Sequence, residues 1–478
     1  MPQNRILLLL LPLLFLCLHT QAQDSLTVQA FFNQILENHP YSRQAELLSE
    51  RARMEIRMAR GALDPALSGK HSSKEFEGKD YYTKWNGELR VPLLFGPELK
   101  AGYEQNTGPF INPESKTSKD GLSYIGITVP IGQGLWTDER RNTLRQAKLM
   151  QNLAEAERLG LLNKLLLQAA KDYWDWLYFY REVQLFEEMT ELAAFRLRGV
   201  RERAKEGDLA AIDTLEALTA VQDRQTQLTQ ALLSYANAKL KVENYLWSDE
   251  GEPLALEPDV VPAATGSELL QLPATTLEQL LEQAKQNHPD LLKLEVKQEQ
   301  LTAEQRFLSN KLLPKLNLEY NLLQPSFFEG NDVTRNAYWQ NNYRLGISFY
   351  QPLFLRQERG KRQLNKLKIQ ENQLSQNQVG REIQNQVLQS FNEWVALAQQ
   401  IELQLQMVQN YRTLLNGEII RFQNGESSLF LVNSRELKLM EAQQKLFSLQ
   451  AKYAKAKANL AWAAGNLSVT VKDEQAGR

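Results

Sequence analysis

Leu36-Glu37-Asn38-His39-Pro40 closes on a tripeptide, Asn38-His39-Pro40, that returns 249 residues later as Asn287-His288-Pro289. Pro65 returns at that same offset as Pro314. Further on, Gly126-Ile127 matches Gly346-Ile347 at an offset of 220, and Tyr235-Ala236-x-Ala238-Lys239 matches Tyr453-Ala454-x-Ala456-Lys457 at 218. A period above 200 residues is far longer than any solenoid unit, so the chain is a duplicated half-domain and not an array. Its activity is expected to rest on two-fold pseudo-repetition.

The repeated tripeptide has a mechanism. Proline cannot continue the helix before it but fits the first turn of the next. This predicts short amphipathic helices over Thr27–Glu37 and Thr276–Gln286, each with a threonine placed to cap it. Second helices follow from Pro40 to about Gly61 and from Pro289 to about Leu312. Beyond Pro65 and Pro314 helical spacing is lost. Leu316, Leu318 and Tyr320 alternate with polar residues, as do Leu345, Ile347 and Phe349, which is strand periodicity. Between these two strands lies a polar stretch around Gly330-Asn331-Asp332. Phe327, Phe328, Tyr338, Trp339, Tyr343 and Tyr350 surround it, a density that suits an interfacial aromatic girdle. From its proline to its matching glycine the first copy is longer, and the surplus contains two further strand-like pieces, near Glu88–Pro92 and Leu99–Tyr103. They predict an extra hairpin within Lys74–Gly121.

The pattern then turns helical, from about Asp138 to Lys205 and from about Gln357 to Gln423. At 1.5 Å per residue each helix would span roughly 100 Å. Leu159, Leu162, Leu166, Ala169, Tyr173, Trp176, Tyr180 and Val183 step alternately by three and four, the heptad spacing of a coiled coil. Each long helix is expected to end at a glycine, Gly207 or Gly425, in a left-handed cap. Return helices of about 36 residues follow. Leu439, Ala442, Leu446, Leu449, Tyr453, Ala456, Leu460 and Ala463 form the stripe in one, and Leu228, Ala231, Tyr235, Ala238 and Val242 in the other. The expected organisation is a signal peptide over 1–23, a first repeat over 24–248, a Pro/Gly/Ser-punctuated linker over 249–273, a second repeat over 274–467 and a tail over 468–478.

Arg5, the apolar run Ile6–Leu18 and Gln21-Ala22-Gln23 have the basic, apolar and small-residue zones of a secretory signal peptide. The single cysteine, Cys17, lies inside that run behind Leu16, where a lipobox requires a small residue, so lipidation is not expected. No later stretch has the ~18 apolar residues of a membrane-spanning helix, and entry into a bilayer would need a closed β-barrel. With 55 basic and 57 acidic residues, the net charge of −2 offers no polybasic face, which excludes nucleic acid as a partner. The four histidines, His19, His39, His71 and His288, form no metal-type cluster. There is no phosphate-cradling loop or nucleophile elbow. Neither an enzyme nor a cofactor is expected, and His39 and His288 are read as packing residues at helix breaks. The aromatic group Tyr173, Trp174, Trp176, Tyr178 and Tyr180 is read as helix packing, and the Gln-rich run Gln370–Gln409 as a solvated helix face.

This order of elements resembles the TolC family of bacterial outer-membrane channel proteins. The residues that carry the likeness are Leu36-Glu37-Asn38-His39-Pro40, the strand end Gln351-Pro352-Leu353-Phe354, the tips at Gly207 and Gly425, and the Tyr-Ala-x-Ala stripes. The resemblance implies a mainly α chain with a membrane β-barrel portion: a homotrimer whose 12-stranded barrel continues into a long α-helical barrel across the periplasm. It implies an efflux duct meeting a periplasmic adaptor and an inner-membrane transporter, with outer-membrane lipid around the barrel. Type I protein secretion uses the same conduit, and a periplasmic coiled-coil adaptor or scaffold is the competing class. Similar tips meet an adaptor, which makes Arg203, Gly207, Arg421, Gly425 and Ser428 the candidate docking residues. The family seals its periplasmic end near the tips. The positions after the second tip glycine where some members place carboxylates hold Leu431 and Ser434, and the first copy has Asp213 and Glu216. These four are the candidate constriction.

Overall fold

Thr27 and Thr276 start the fold as the capping rule requires. The Thr27 hydroxyl accepts from the Ala30 amide at 3.2 Å and opens helix α1, Val28–Asn38. Thr276 and Gln279 form a reciprocal capping box at the start of the equivalent helix of the second repeat, Leu277–Asn287. The computed structural model describes residues 25–263, 276–324 and 341–467. The expected signal peptide with Cys17, the Gly330-Asn331-Asp332 loop with Phe327, Phe328, Tyr338 and Trp339, linker residues 264–273 and the tail 468–478 lie outside them.

In chain order the elements are β1 (Ser25–Thr27), α1, α2 (Pro40–Gly61), β2 (Ala66–Phe76), β3 (Lys79–Pro92), β4 (Glu98–Thr107), β5 (Leu122–Pro130), α3 (Glu139–Lys205) and α4 (Ala211–Glu243). The linker adds β6 (Val261–Ala263), and the second repeat α5 (Leu277–Asn287), α6 (Pro289–Asn310), β7 (Lys315–Gln324), β8 (Tyr343–Tyr350), α7 (Arg356–Gln423) and α8 (Leu429–Ala463). Within the linker, β6 pairs parallel with β1, so that segment carries structure the sequence reading missed. The expected extra hairpin is present and longer than its sequence signal, because β3 and β4 extend past the apolar residues into polar ends that still pair.

The chain divides into two units, and α3, α7 and α8 run from one into the other. Of the described residues, the first unit holds 25–39, 168–263 and 395–455. Its core is an aromatic knot: Phe31 lies 5.6 Å from Tyr173, which meets Trp176 edge-on at 5.9 Å. The Tyr173 hydroxyl sits 2.7 Å from the carbonyls of both Leu26 and Ala263, tying together β1 and β6. Tyr173 and Trp176 are fully buried, so the aromatic group acts chiefly in packing. Farther along, Val183, Phe186 and Met189 of α3 pack with Ala231 of α4 and Met440 of α8.

Of the described residues, the second unit holds 40–167, 276–324, 341–394 and 456–467. Its sheet is a single antiparallel run ordered β2-β3-β4-β5-β7-β8. Beside it, amides lock α6 between its neighbours. Asn365 and Asn372 on α7 donate to the carbonyls of Leu301 and Leu294, and Asn142 on α3 donates to Glu304 at 2.7 Å. Asn372, like Gln404 of the first unit, is buried, so part of the Gln-rich run is interhelical and not solvated. Their partners are distant in sequence, which hides the role from a periodicity reading.

Both break histidines are buried. His39 packs near the Tyr245 and Trp247 rings at 6.0 and 6.2 Å. His288 faces Trp462, and its Nδ1 accepts from the Asp290 amide at 3.2 Å, capping α6. Burial lowers the pKa of each below the ordinary value of 6.5. The unfolded chain therefore binds these protons more readily, and the stability they contribute is present above pH ~6.5 and is lost as pH falls through the folded values. We expect the unfolding midpoint to drop between pH 7.5 and pH 5, and to drop less in the His39→Asn/His288→Asn double variant. An unchanged pH slope in that variant would show that other groups carry the dependence.

Candidate functional site

Residues directly opposite in an antiparallel sheet share a face, so the register sorts every side chain. One face carries Leu89, Val91, Leu99, Ala101, Ile125, Ile127, Leu318, Tyr320, Leu322, Leu345, Ile347 and Phe349. These residues are widely exposed, Ile125 at 54%, Ile347 at 70% and Phe349 at 68%. Such a continuous apolar surface does not persist in water.

The opposite face is polar and cross-linked strand to strand. Glu88 on β3 pairs with Arg90 and accepts from the Tyr124 hydroxyl of β5 at 2.8 Å. The Tyr124 ring reaches Glu88 by crossing β4 over Gly102, where an added Cβ would lie 2.3 Å from the ring. Lys100 on β4 lies 3.4 Å from Glu319 on β7, which also accepts from Asn321 at 2.9 Å. Glu104 on β4 pairs with Arg344 on β8. One apolar face and one charged, internally neutralised face fit a wall between lipid and water. Among the described residues no helix is long and apolar enough to cross a membrane.

The helical tips lie in the first unit, and the two glycines do what their positions imply. Gly207 has φ +83° and Gly425 φ +80°. In each turn the residue after the glycine donates to the arginine carbonyl, Asp208 to Arg203 at 3.0 Å and Glu426 to Arg421 at 2.9 Å. The glycine amides donate to Ala204 and Phe422, completing two Schellman caps. The caps consume the carbonyls that glycine would otherwise leave open, so what a partner can reach is the bare backbone. Open space surrounds both glycines. The Arg203 guanidinium lies 5.5 Å over the Phe422 ring, bringing the two tips together. Arg421 lies 3.9 Å from Glu418, and the Ser428 hydroxyl is 3.4 Å from the Leu431 amide at the start of α8.

The four constriction candidates do not form one cluster. The Asp213 carboxylate accepts from the Ala210 amide at 3.1 Å and so caps α4. Glu216 accepts from Asn433 of α8 at 3.2 Å. Leu431 and Ser434 are exposed. The sequence reading missed the residues that complete the Glu216 link. Arg196 of α3 donates to Asn433 at 2.9 Å and pairs with Glu436, which is 2% exposed. A charge between Val432 and Leu439 in an otherwise apolar stripe was the available signal. Beside the second tip, Ser427 donates to Glu418 at 2.6 Å, and with Arg421 and Arg435 it holds that carboxyl below its ordinary pKa. Among the described residues no group of three His, Cys, Asp or Glu is placed to hold a metal ion.

Residues 280–466 match the family model of outer membrane efflux proteins. That match spans nearly the whole of the second repeat. In structure the likeness extends over both repeats: the chain aligns over 92% of its length with 89% of the Neisseria gonorrhoeae MtrE outer membrane channel in its open state, at TM-score 0.65 and 16% identity. It aligns over 92% with 96% of the outer membrane protein VceC of Vibrio cholerae, at TM-score 0.62 and 15% identity. For the Campylobacter jejuni CmeC outer membrane channel the values are 94% and 89%, TM-score 0.60 and 14% identity. A search of curated protein sequences returns no significant match. The chain thus has the fold of these outer membrane channels, with six strands paired in its sheet among the described residues.

Removing one partner of a buried ion pair leaves the other charge uncompensated, at about 3–5 kcal/mol. We expect Glu436→Ala and Arg196→Ala each to lower stability by that order in denaturant unfolding, and the double variant to lose much less than the sum. Full additivity would show that the pair is not coupled.

Proposed function

We propose that this protein is one protomer of a trimeric outer-membrane efflux duct, which receives substrate from an inner-membrane transporter through a periplasmic adaptor. The observation that carries the reading is the two-faced sheet, apolar on one side and ion-paired on the other, in a chain whose second repeat matches the efflux-protein model. A periplasmic adaptor or scaffold has no use for such a sheet. Each strand set begins at the helices, β2 directly after α2 and β7 directly after α6, so the barrel's helical end faces the periplasm. The β4–β5 connection opens on the other side, at the cell exterior. The tips dock the adaptor: positive-φ glycines with nothing near them let a partner helix approach the backbone, and Arg421 remains 58% exposed as a donor.

Purified in detergent, the particle is expected to have three times the protomer mass. A monodisperse monomer, or recovery from the periplasm without detergent, would overturn the assignment. An epitope inserted at Asn112 should be labelled on intact cells, and labelling that requires a permeabilised outer membrane would reverse the topology.

Replacing Gly207 and Gly425 by valine forces β-branched residues into left-handed backbone at about 1–2 kcal/mol each. The exposed turns should tolerate this while blocking the partner. We expect export to fall at least tenfold with trimer and membrane levels unchanged, whereas retained export would move the docking surface elsewhere.

A further inference from the structure

The order β2-β3-β4-β5-β7-β8 leaves β2 and β8 as the two edges of the sheet among the described residues. The extra hairpin is part of the wall and not a loop hung from it. Its inner turn is held at the helical end, where Glu98 at the start of β4 accepts from Arg140 of α3 at 2.6 Å. β2 leaves α2 at that same end, so all six strands span the sheet from one level. β2 has 11 residues, β3 14 and β4 10, enough for strands that need about 9–11 to cross a bilayer. The register also continues to the edge: Leu67 lies opposite Leu89 and His71 packs beside Trp85 on the apolar face, where Gly69 and Ser73 also fall, while Ser68, Lys70 and Ser72 lie on the polar face opposite Glu88, Asn86 and Lys84.

An edge strand cannot sit in lipid with open N–H and C=O groups. Membrane barrels need at least eight strands, so six cannot close alone. Each copy carries one β2 and one β8. Because six is even, β8 of one copy runs antiparallel to β2 of the next, whereas an odd count would force a parallel seam. We infer that β8 of each copy pairs with β2 of its neighbour, and that three chains close an eighteen-stranded barrel to which each contributes all six strands. The inference rests on the trimeric reading above. Barrel diameter grows roughly linearly with strand number, so this exit is about 1.5 times as wide as a twelve-stranded one. Its lumen is lined by the paired charges Glu88/Arg90, Lys100/Glu319 and Glu104/Arg344.

With Cys17 the only cysteine in the chain, cleavage of the expected signal peptide leaves a thiol-free background for cross-linking. Gly346→Cys or Ser348→Cys on β8 is combined with Ser68→Cys, Lys70→Cys or Ser72→Cys on β2, and separately with Asn106→Cys on β4. Membranes are oxidised and run without reductant. A dimer and trimer ladder from at least one β8/β2 combination, and none from β8/β4, is expected. Ladders from β8/β4 alone would mean that four strands per chain close the barrel, and they overturn the inference while leaving the trimer intact. Amide exchange on the unaltered trimer is the second measurement. β2 should be protected as strongly as β5, and rapid exchange throughout β2 overturns the inference without any variant having to fold. A detergent particle of monomer mass would instead sink the trimeric reading itself.

Discussion

The two halves of this duplicated chain are held together where α3 of the first repeat lies along α8 of the second. The seam is apolar at its centre, with Val183, Phe186 and Met189 against Met440, and polar along its flank. Lys455 pairs with Asp175, Arg181 donates to Gln450 at 2.6 Å, Gln444 to Glu182 at 2.9 Å, and Arg196 reaches Asn433 and Glu436. Apolar burial drives the association, at about 25 cal/mol per Å2, but it is non-directional and would tolerate a slide by one heptad. The polar flank does not tolerate it, since a shift would leave half-buried charges without partners. Register between repeats therefore rests on the charges and adhesion on the stripe. Burial also shapes the charges: Arg181, without a carboxylate partner in this set, has its pKa lowered by desolvation.

The sheet solves a related problem with the opposite geometry. Its ion pairs Glu88/Arg90, Lys100/Glu319 and Glu104/Arg344 share one face, and the other face is mainly apolar from Leu89 to Phe349. Tyr124 shows how far the arrangement is specified, since its hydroxyl reaches Glu88 two strands away only because Gly102 leaves the intervening surface flat. The helical tips combine stability with access in a different way. A Schellman cap satisfies the helix-end carbonyls internally, so the turn is stable without a partner and still presents a backbone free of side chains.

Much of this was legible in the chain itself. Asn38-His39-Pro40 and its copy determined two helix breaks because proline acts locally, through its ring and its missing N–H. The heptad stripe on α8 predicted burial at all eight of its positions, from Leu439 to Ala463. Helix capping by Thr27 and Thr276, the glycine tips and the strand alternation of Leu316–Tyr320 are likewise local or periodic signals, and they appear where the residues stand. The extra hairpin announced itself only by its apolar fragments. Lys79–Lys84 and Gln105–Thr107 are polar, and their pairing is decided by strand neighbours and not by pattern.

What only the tertiary structure decided is the choice of partners. Asp213 and Glu216 stand one turn apart on α4, yet the first caps its own helix and the second reaches Asn433, 217 residues away. Glu436, Asn372 and the β1–β6 pairing were invisible for the same reason. A local signal depends on the residue and its near neighbours, which the sequence states outright. A buried polar contact depends on which distant group arrives to satisfy it, and that is settled only when the helices and strands pack.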